Sequence, residues 1–190
     1  MSRSKIAPFA LAMLFGLATA VPAFADGEHG DAKEVGALMN AKITAADAVA
    51  TAEKESGGRA VKVELEKEKG AYLFEVKTVS QDQVARIMID PATGKTVKVE
   101  KEGSLEKIFD RDEQDDLKKL NAVPTTLSAA IAAGEKNIAG KAVEAGIDED
   151  ADGAIFKVEV VKDNVVHRVM IDGADGKVLR VTAKNDEDDD

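Results

Sequence analysis

The sequence predicts an α+β protein made of two tandem copies of one unit, a helix followed by a three- to four-stranded antiparallel meander. Three observations predict it. First, the chain nearly repeats itself: Phe74-Glu75-Val76-Lys77-Thr78-Val79 is echoed by Phe156-Lys157-Val158-Glu159-Val160-Val161, and Met88-Ile89-Asp90-Pro91-Ala92-Thr93-Gly94-Lys95 by Met170-Ile171-Asp172-Gly173-Ala174-Asp175-Gly176-Lys177. One ungapped offset of about 82 residues covers both, long enough for a small domain and too long for a solenoid unit. Second, each copy opens with small apolar residues at helical spacing. Third, each copy continues with residues that alternate apolar and polar, the period of a half-buried strand.

The elements follow in order. Arg3 and Lys5, the apolar run Ile6 to Ala20 and the small-x-small site Ala23-Phe24-Ala25 predict a signal peptide over 1–25, cleaved after Ala25. Residues 26–41 are polar and glycine-bearing, so a flexible leader is expected. The first domain, 42–102, opens with Thr44 as helix cap and Asp47 at the capping-box spacing. Ala45, Ala48, Val49 and Ala52 give the apolar face, and Gly57-Gly58 stops the helix. Val61, Val63 and Leu65 alternate with Lys62, Glu64 and Glu66 in a first strand, and Lys69-Gly70 turns the chain. Tyr72, Phe74 and Val76 mark a second strand, Val84 to Asp90 a third and Thr96 to Val99 a fourth. Asp90-Pro91-Ala92-Thr93-Gly94 makes the tight turn between the last two. Residues 103–123 form a charged connector, expected as one helix capped by Ser104 with Leu105, Ile108, Phe109, Leu117 and Leu120 as its stripe. The second domain, 124–184, repeats the unit from Thr126. Residues 185–190 are an acidic tail, expected to be disordered.

Charge narrows the function. The chain carries a net −10, and losing Arg3 and Lys5 with the signal makes the mature part about −12, a surface that repels nucleic-acid phosphates. There is no Cys, hence neither a disulfide framework nor a lipid-attachment cysteine. The expected address is the periplasm or the cell exterior.

The order of these motifs resembles the PepSY family. Ile43-Thr44-Ala45-Ala46-Asp47-Ala48 resembles that family's helix opening, Gly58-Arg59-Ala60-Val61 its entry to the first strand, Tyr72-Leu73-Phe74-Glu75-Val76 its second strand, and Ile89-Asp90-Pro91-Ala92-Thr93-Gly94-Lys95 its turn. The second copy keeps Phe156-Lys157-Val158 and Ile171 to Lys177 but has Thr125-Thr126 in place of Ile43-Thr44, so copy one is the better match. The resemblance implies a non-enzymatic module that binds a protein or peptide, inhibiting or regulating a secreted peptidase.

Chemistry-bearing motifs are few. Asp148-Glu149-Asp150-Ala151-Asp152-Gly153, with Glu159 at the twelfth position, matches the spacing of a Ca²⁺-binding EF-hand loop. The competing reading, a polar hairpin turn, is favoured, because the offset lays this stretch on the turn around Lys69-Gly70 and puts Glu159 up a strand, beyond reach. Asp148, Asp150 and Asp152 alone remain as candidate Ca²⁺ ligands, and an acidic cation-binding protein is the alternative function. His167 is expected as a half-exposed strand residue and His29 as a solvated one. Two distant histidines support no zinc site, and no nucleophilic triad or phosphate loop is present in the sequence, so an enzyme is not expected.

Overall fold

The computed structural model describes residues 32–148, 151 and 153–183. In the first copy, helix α2 (Ala45–Ser56) is opened by Thr44: its hydroxyl accepts from the Asp47 amide at 3.1 Å, while the Asp47 carboxylate accepts from the Thr44 amide at 2.9 Å. The expected capping box therefore forms, and Gly57 ends the helix in the left-handed region at φ 66°. Strands β1 (Arg59–Glu68), β2 (Ala71–Ser80), β3 (Gln83–Ile89) and β4 (Thr96–Ser104) follow as an antiparallel meander. The second copy repeats this with α5 (Leu127–Ile138), β5 (Lys141–Ile147), β6 (Ile155–Lys162), β7 (Val165–Asp172) and β8 (Val178–Ala183). The tandem α+β architecture is thus as the repeat predicts.

The two copies share one eight-stranded sheet, ordered β4-β3-β2-β1-β5-β6-β7-β8. They join where β1 pairs antiparallel with β5. Val63 lies opposite its own repeat-equivalent, Ala145, while Lys62 and Glu64 lie opposite Gly146 and Glu144, the equivalents of Glu64 and Lys62. This register is an internal two-fold through Val63–Ala145, the arrangement of an isologous dimer fused into one chain. Helices α2 and α5 pack side by side on one face. The core lies between them and the sheet, where Phe74, Val76, Ile87, Ile89, Phe156, Val158 and Ile171 are buried. A single copy would bury too thin a core, and the joined sheet doubles it.

Repeated local devices explain the repeated sequence. In each copy the first strand carries a bulge, at Ala60/Lys62 and at Ala142/Glu144. The helix glutamate caps the amide there: Glu53 accepts from Ala60 and Glu135 from Ala142, both at 2.9 Å. Gly58 and Gly140 precede these bulges, and a Cβ on either would meet the backbone oxygen of Val79 or Val161 at 2.8 and 2.4 Å. The aspartate turns act alike: Asp90 and Asp172 each accept from the amide two residues on at 2.7 Å, and Gly94 and Gly176 sit at φ 70° and 71°. The carbonyls of Pro91 and Gly173 then hold the helix entries through Ile43 (3.3 Å) and Thr125 (3.2 Å).

Three expectations need correction. The leader is not flexible throughout: Ala32–Asn40 forms helix α1, with Leu38 buried. Val35 and Leu38 supply its apolar stripe, and the offset pairs them with Leu117 and Leu120, so α1 is the copy-one counterpart of the connector helix. The connector is two helices, α3 (Leu105–Ile108) and α4 (Arg111–Asn121). Ser104 makes no side-chain cap, whereas Asp110 and Glu113 form a capping box that starts α4 afresh. Finally, the bulge breaks the alternation expected in β1, and Val61 turns away from Val63 and Leu65 to join Lys62. The signal peptide (1–25), the start of the leader and the acidic tail (185–190) lie outside the described residues.

Candidate functional site

The sheet face opposite α2 and α5 is where the two-fold and the sequence part company. Cross-strand registers align two rows of side chains over it. One runs Lys98, Met88, Glu75, Glu64, Glu144, Glu159, Arg168, Thr182. The other runs Glu100, Arg86, Lys77, Lys62, Gly146, Lys157, Met170, Arg180. The two-fold exchanges the rows, yet over the four central strands three charges are inverted, Lys62 mapping to Glu144, Lys77 to Glu159 and Lys157 to Glu75, while the uncharged Gly146 maps to Glu64. One half of the central face is therefore a ladder of four adjacent glutamates, and the other is lined by three lysines and a glycine.

Like charges directly opposite each other on neighbouring strands are unfavourable, so the glutamate ladder needs compensation. Glu75 and Glu159 are 4% and 7% exposed. Arg86 reaches Glu75 at 3.3 Å, Glu100 at 3.4 Å and Glu102 at 3.0 Å, and Arg168 reaches Glu159 at 3.4 Å. Lys62 sits 2.6 Å from Glu64 and 3.9 Å from Glu144. Burial pulls the Lys62 ammonium down, but Glu64 and Glu144 outweigh it and hold the group above the ordinary lysine value. The carboxylates of Glu64, Glu66 and Glu75 converge to within 4.8 Å of one another. Burial, reinforced by a hydrogen bond with Glu66, pushes the Glu75 carboxyl up to about 7 despite Arg86.

The lysine half forms a cleft of about 300 Å³. Lys62, Lys77, Lys157 and Gly146 lie on its sheet side, joined by Val61 and Ile147, and Phe109, Glu113 and Leu117 close it from the connector. Among the described residues neither Lys77 nor Lys157 has an ion-pair partner.

Among the described residues the sheet ends in two edge strands, β4 and β8. No described strand pairs with their outer sides, and both present apolar side chains. Val97 and Val99 are 58% and 50% exposed, and their equivalents Leu179 and Val181 are 54% and 39% exposed. Exposed apolar residues at alternate positions of an edge strand are what natural sheets usually avoid.

Of the three aspartates expected as Ca²⁺ ligands, one falls within the described residues. Asp148 begins the loop joining β5 to β6, its amide donating to Ile155 at 2.8 Å, while Asp150 and Asp152 lie outside the described residues. Glu159 stands on β6 opposite Glu144 and is ion-paired with Arg168, and β5 and β6 pair antiparallel on either side of the stretch. His167 sits half-buried on β7, and His29 lies outside the described residues. The lysine cleft and glutamate ladder were missed. Their signal was available as the Lys77/Glu159 and Glu75/Lys157 mismatches between copies, but only the strand register shows that the mismatched residues meet.

The sequence model of the peptidase propeptide and YPEB domain family, PepSY, matches twice, over residues 42–100 and 125–182. No curated protein matches the chain. A crystal structure of a candidate lipoprotein from Clostridium difficile 630 aligns at 21% identity and a TM-score of 0.44, covering 76% of this chain and 95% of that one.

Proposed function

The chain belongs to the PepSY family, with two modules in tandem, and from that premise we propose that it is a non-enzymatic, extracytoplasmic protein- or peptide-binding protein that restrains a secreted peptidase. The observation that carries the reading is the pair of equivalent edge strands with exposed apolar residues at alternate positions. An edge strand can accept an extended segment by main-chain hydrogen bonds, with alternate side chains supplying specificity. Val97 and Val99, or Leu179 and Val181, would meet the apolar side chains of the added strand. Duplication supports the reading too: two edges on one rigid sheet can engage two segments of one partner, and a linked second contact raises overall affinity. The module's link to peptidase propeptides supplies the class of partner.

The test is inhibition. Peptidases secreted by the producing cells, titrated with the purified protein, slow and form a complex that survives gel filtration. Val97→Lys combined with Leu179→Lys weakens both by about ten-fold or more, since a charge on an edge opposes strand addition. Unchanged peptidase rates with no complex would contradict the reading.

A further inference from the structure

We propose that the cleft beneath the connector helix α4 binds the C-terminal carboxylate of a peptide chain. The inference rests on the peptide-binding reading above but concerns a different surface, the sheet face rather than its edges. Three features carry it. Lys77 and Lys157, on neighbouring halves of the fused sheet, are half-buried side chains without an ion-pair partner among the described residues. Val61, Phe109 and Leu117 give the same cleft an apolar wall. The third feature is Gly146. A glycine inside a strand is unfavourable, and here it is not forced by packing, because a Cβ would sit at ordinary contact distances of 3.6 and 3.7 Å. Its two-fold counterpart is Glu64. A side chain of that size on Gly146 would project between Lys62 and Lys157 and fill the floor.

The chemistry follows. Ammonium groups beside an apolar wall suit an anion carried next to a hydrocarbon side chain, and a cleft of about 300 Å³ is at the small end of ligand sites, enough for a terminal residue. Glu113 and Glu144, which also line the cleft, limit the positive charge, which favours a single carboxylate over a phosphate-rich ligand. The class of reaction that generates such an end is peptide-bond hydrolysis, so the site would read the products of the peptidase the protein restrains.

The purified protein is titrated calorimetrically with N-acetyl-Ala-Ala-Leu as the free acid, with its C-terminal amide, and with decanoate. The acid is expected to bind, with an affinity that falls as salt rises, and the amide about ten-fold more weakly or worse. Lys77→Gln with Lys157→Gln, and separately Gly146→Leu, should each weaken the acid by about ten-fold while circular dichroism stays unchanged. No heat from the acid at about 5 mM, where a millimolar site would be mostly filled, would overturn the proposal. So would equal binding of acid and amide, or decanoate binding as tightly as the peptide, which would make the ligand a lipid. The acid–amide comparison uses the unaltered protein, so it stands even if a variant misfolds. No peptidase is present, so failure here leaves the edge-strand reading standing, and failure of peptidase inhibition leaves this site standing.

Discussion

Glu75 shows how much a single residue can report. Its carboxyl, buried and hydrogen-bonded to Glu66, is pushed up to about 7. A carboxyl whose folded value is raised contributes stability that is fully present below its unfolded value and is lost as pH rises through the folded one. The protein is therefore predicted to lose stability between about pH 4.5 and 7 through this group, and Glu75→Gln should flatten that part of a melting-temperature profile. A profile unchanged by the substitution would contradict the assignment. Ala139 offers a second test. It ends α5 in the left-handed region at φ 58°, where Gly57 serves in the first copy. Ala139→Gly should raise stability by about 0.5–1 kcal/mol, or a few degrees in melting temperature. At its neighbour the opposite holds: Gly140→Ala puts a Cβ 2.4 Å from the Val161 oxygen and should cost about 1–3 kcal/mol. The sequence marks Gly57-Gly58 as the stop of the first helix, and the offset pairs Gly58 with Gly140. It could not show that the first position takes the positive φ while the second admits the neighbouring strand.

At the scale of elements, most of the fold was legible because each element announces itself locally. Thr44 and Asp47 write a cap, Val63 and Leu65 a strand face, Asp90 and Gly94 a turn. Helix α1 was not legible, since nine residues with Gly36 inside them carry little intrinsic helix preference. Tertiary contacts hold it instead. Lys141, at the head of β5, donates to the carbonyls of Leu38, Met39 and Ala41 at 3.1, 3.1 and 2.9 Å, satisfying groups a helix C-terminus leaves open. Its repeat-equivalent Arg59 donates to the Thr125 carbonyl at 2.9 Å, so each copy's first strand clasps the approach to the other copy's helix. Lys141→Met is predicted to release α1 selectively. Hydrogen exchange should speed up over Ala32–Asn40 by at least ten-fold, the equivalent of about 1.4 kcal/mol, while α5 stays protected. Equal acceleration in both helices would mean the contact supports the whole sheet. The division of the connector into α3 and α4 was legible in principle, because Asp110 and Glu113 stand at the capping-box spacing, but the apolar stripe running through Phe109 concealed it.

At the scale of the molecule, duplication does two things at once. It joins two thin cores across β1 and β5, and it frees the two halves of the open face to diverge in charge while the backbone stays two-fold. The inversion between Glu75 and Lys157, and between Lys77 and Glu159, was visible as mismatches but not as a surface, because a one-dimensional offset does not say which strands become neighbours. The edges kept their likeness instead: Val97 and Leu179, Val99 and Val181, all remain exposed and apolar. That contrast, a diverged face between two alike edges, is why partner binding is assigned to the edges and ligand discrimination to the face. The most direct measurement places a photo-crosslinking amino acid at Val97 or Leu179, with Asp115 on the exposed side of α4 as control, in cells that secrete the protein. The account predicts crosslinks from both edge positions to a secreted peptidase and none from Asp115. Crosslinks absent from both edges, or equal from the control, would contradict it.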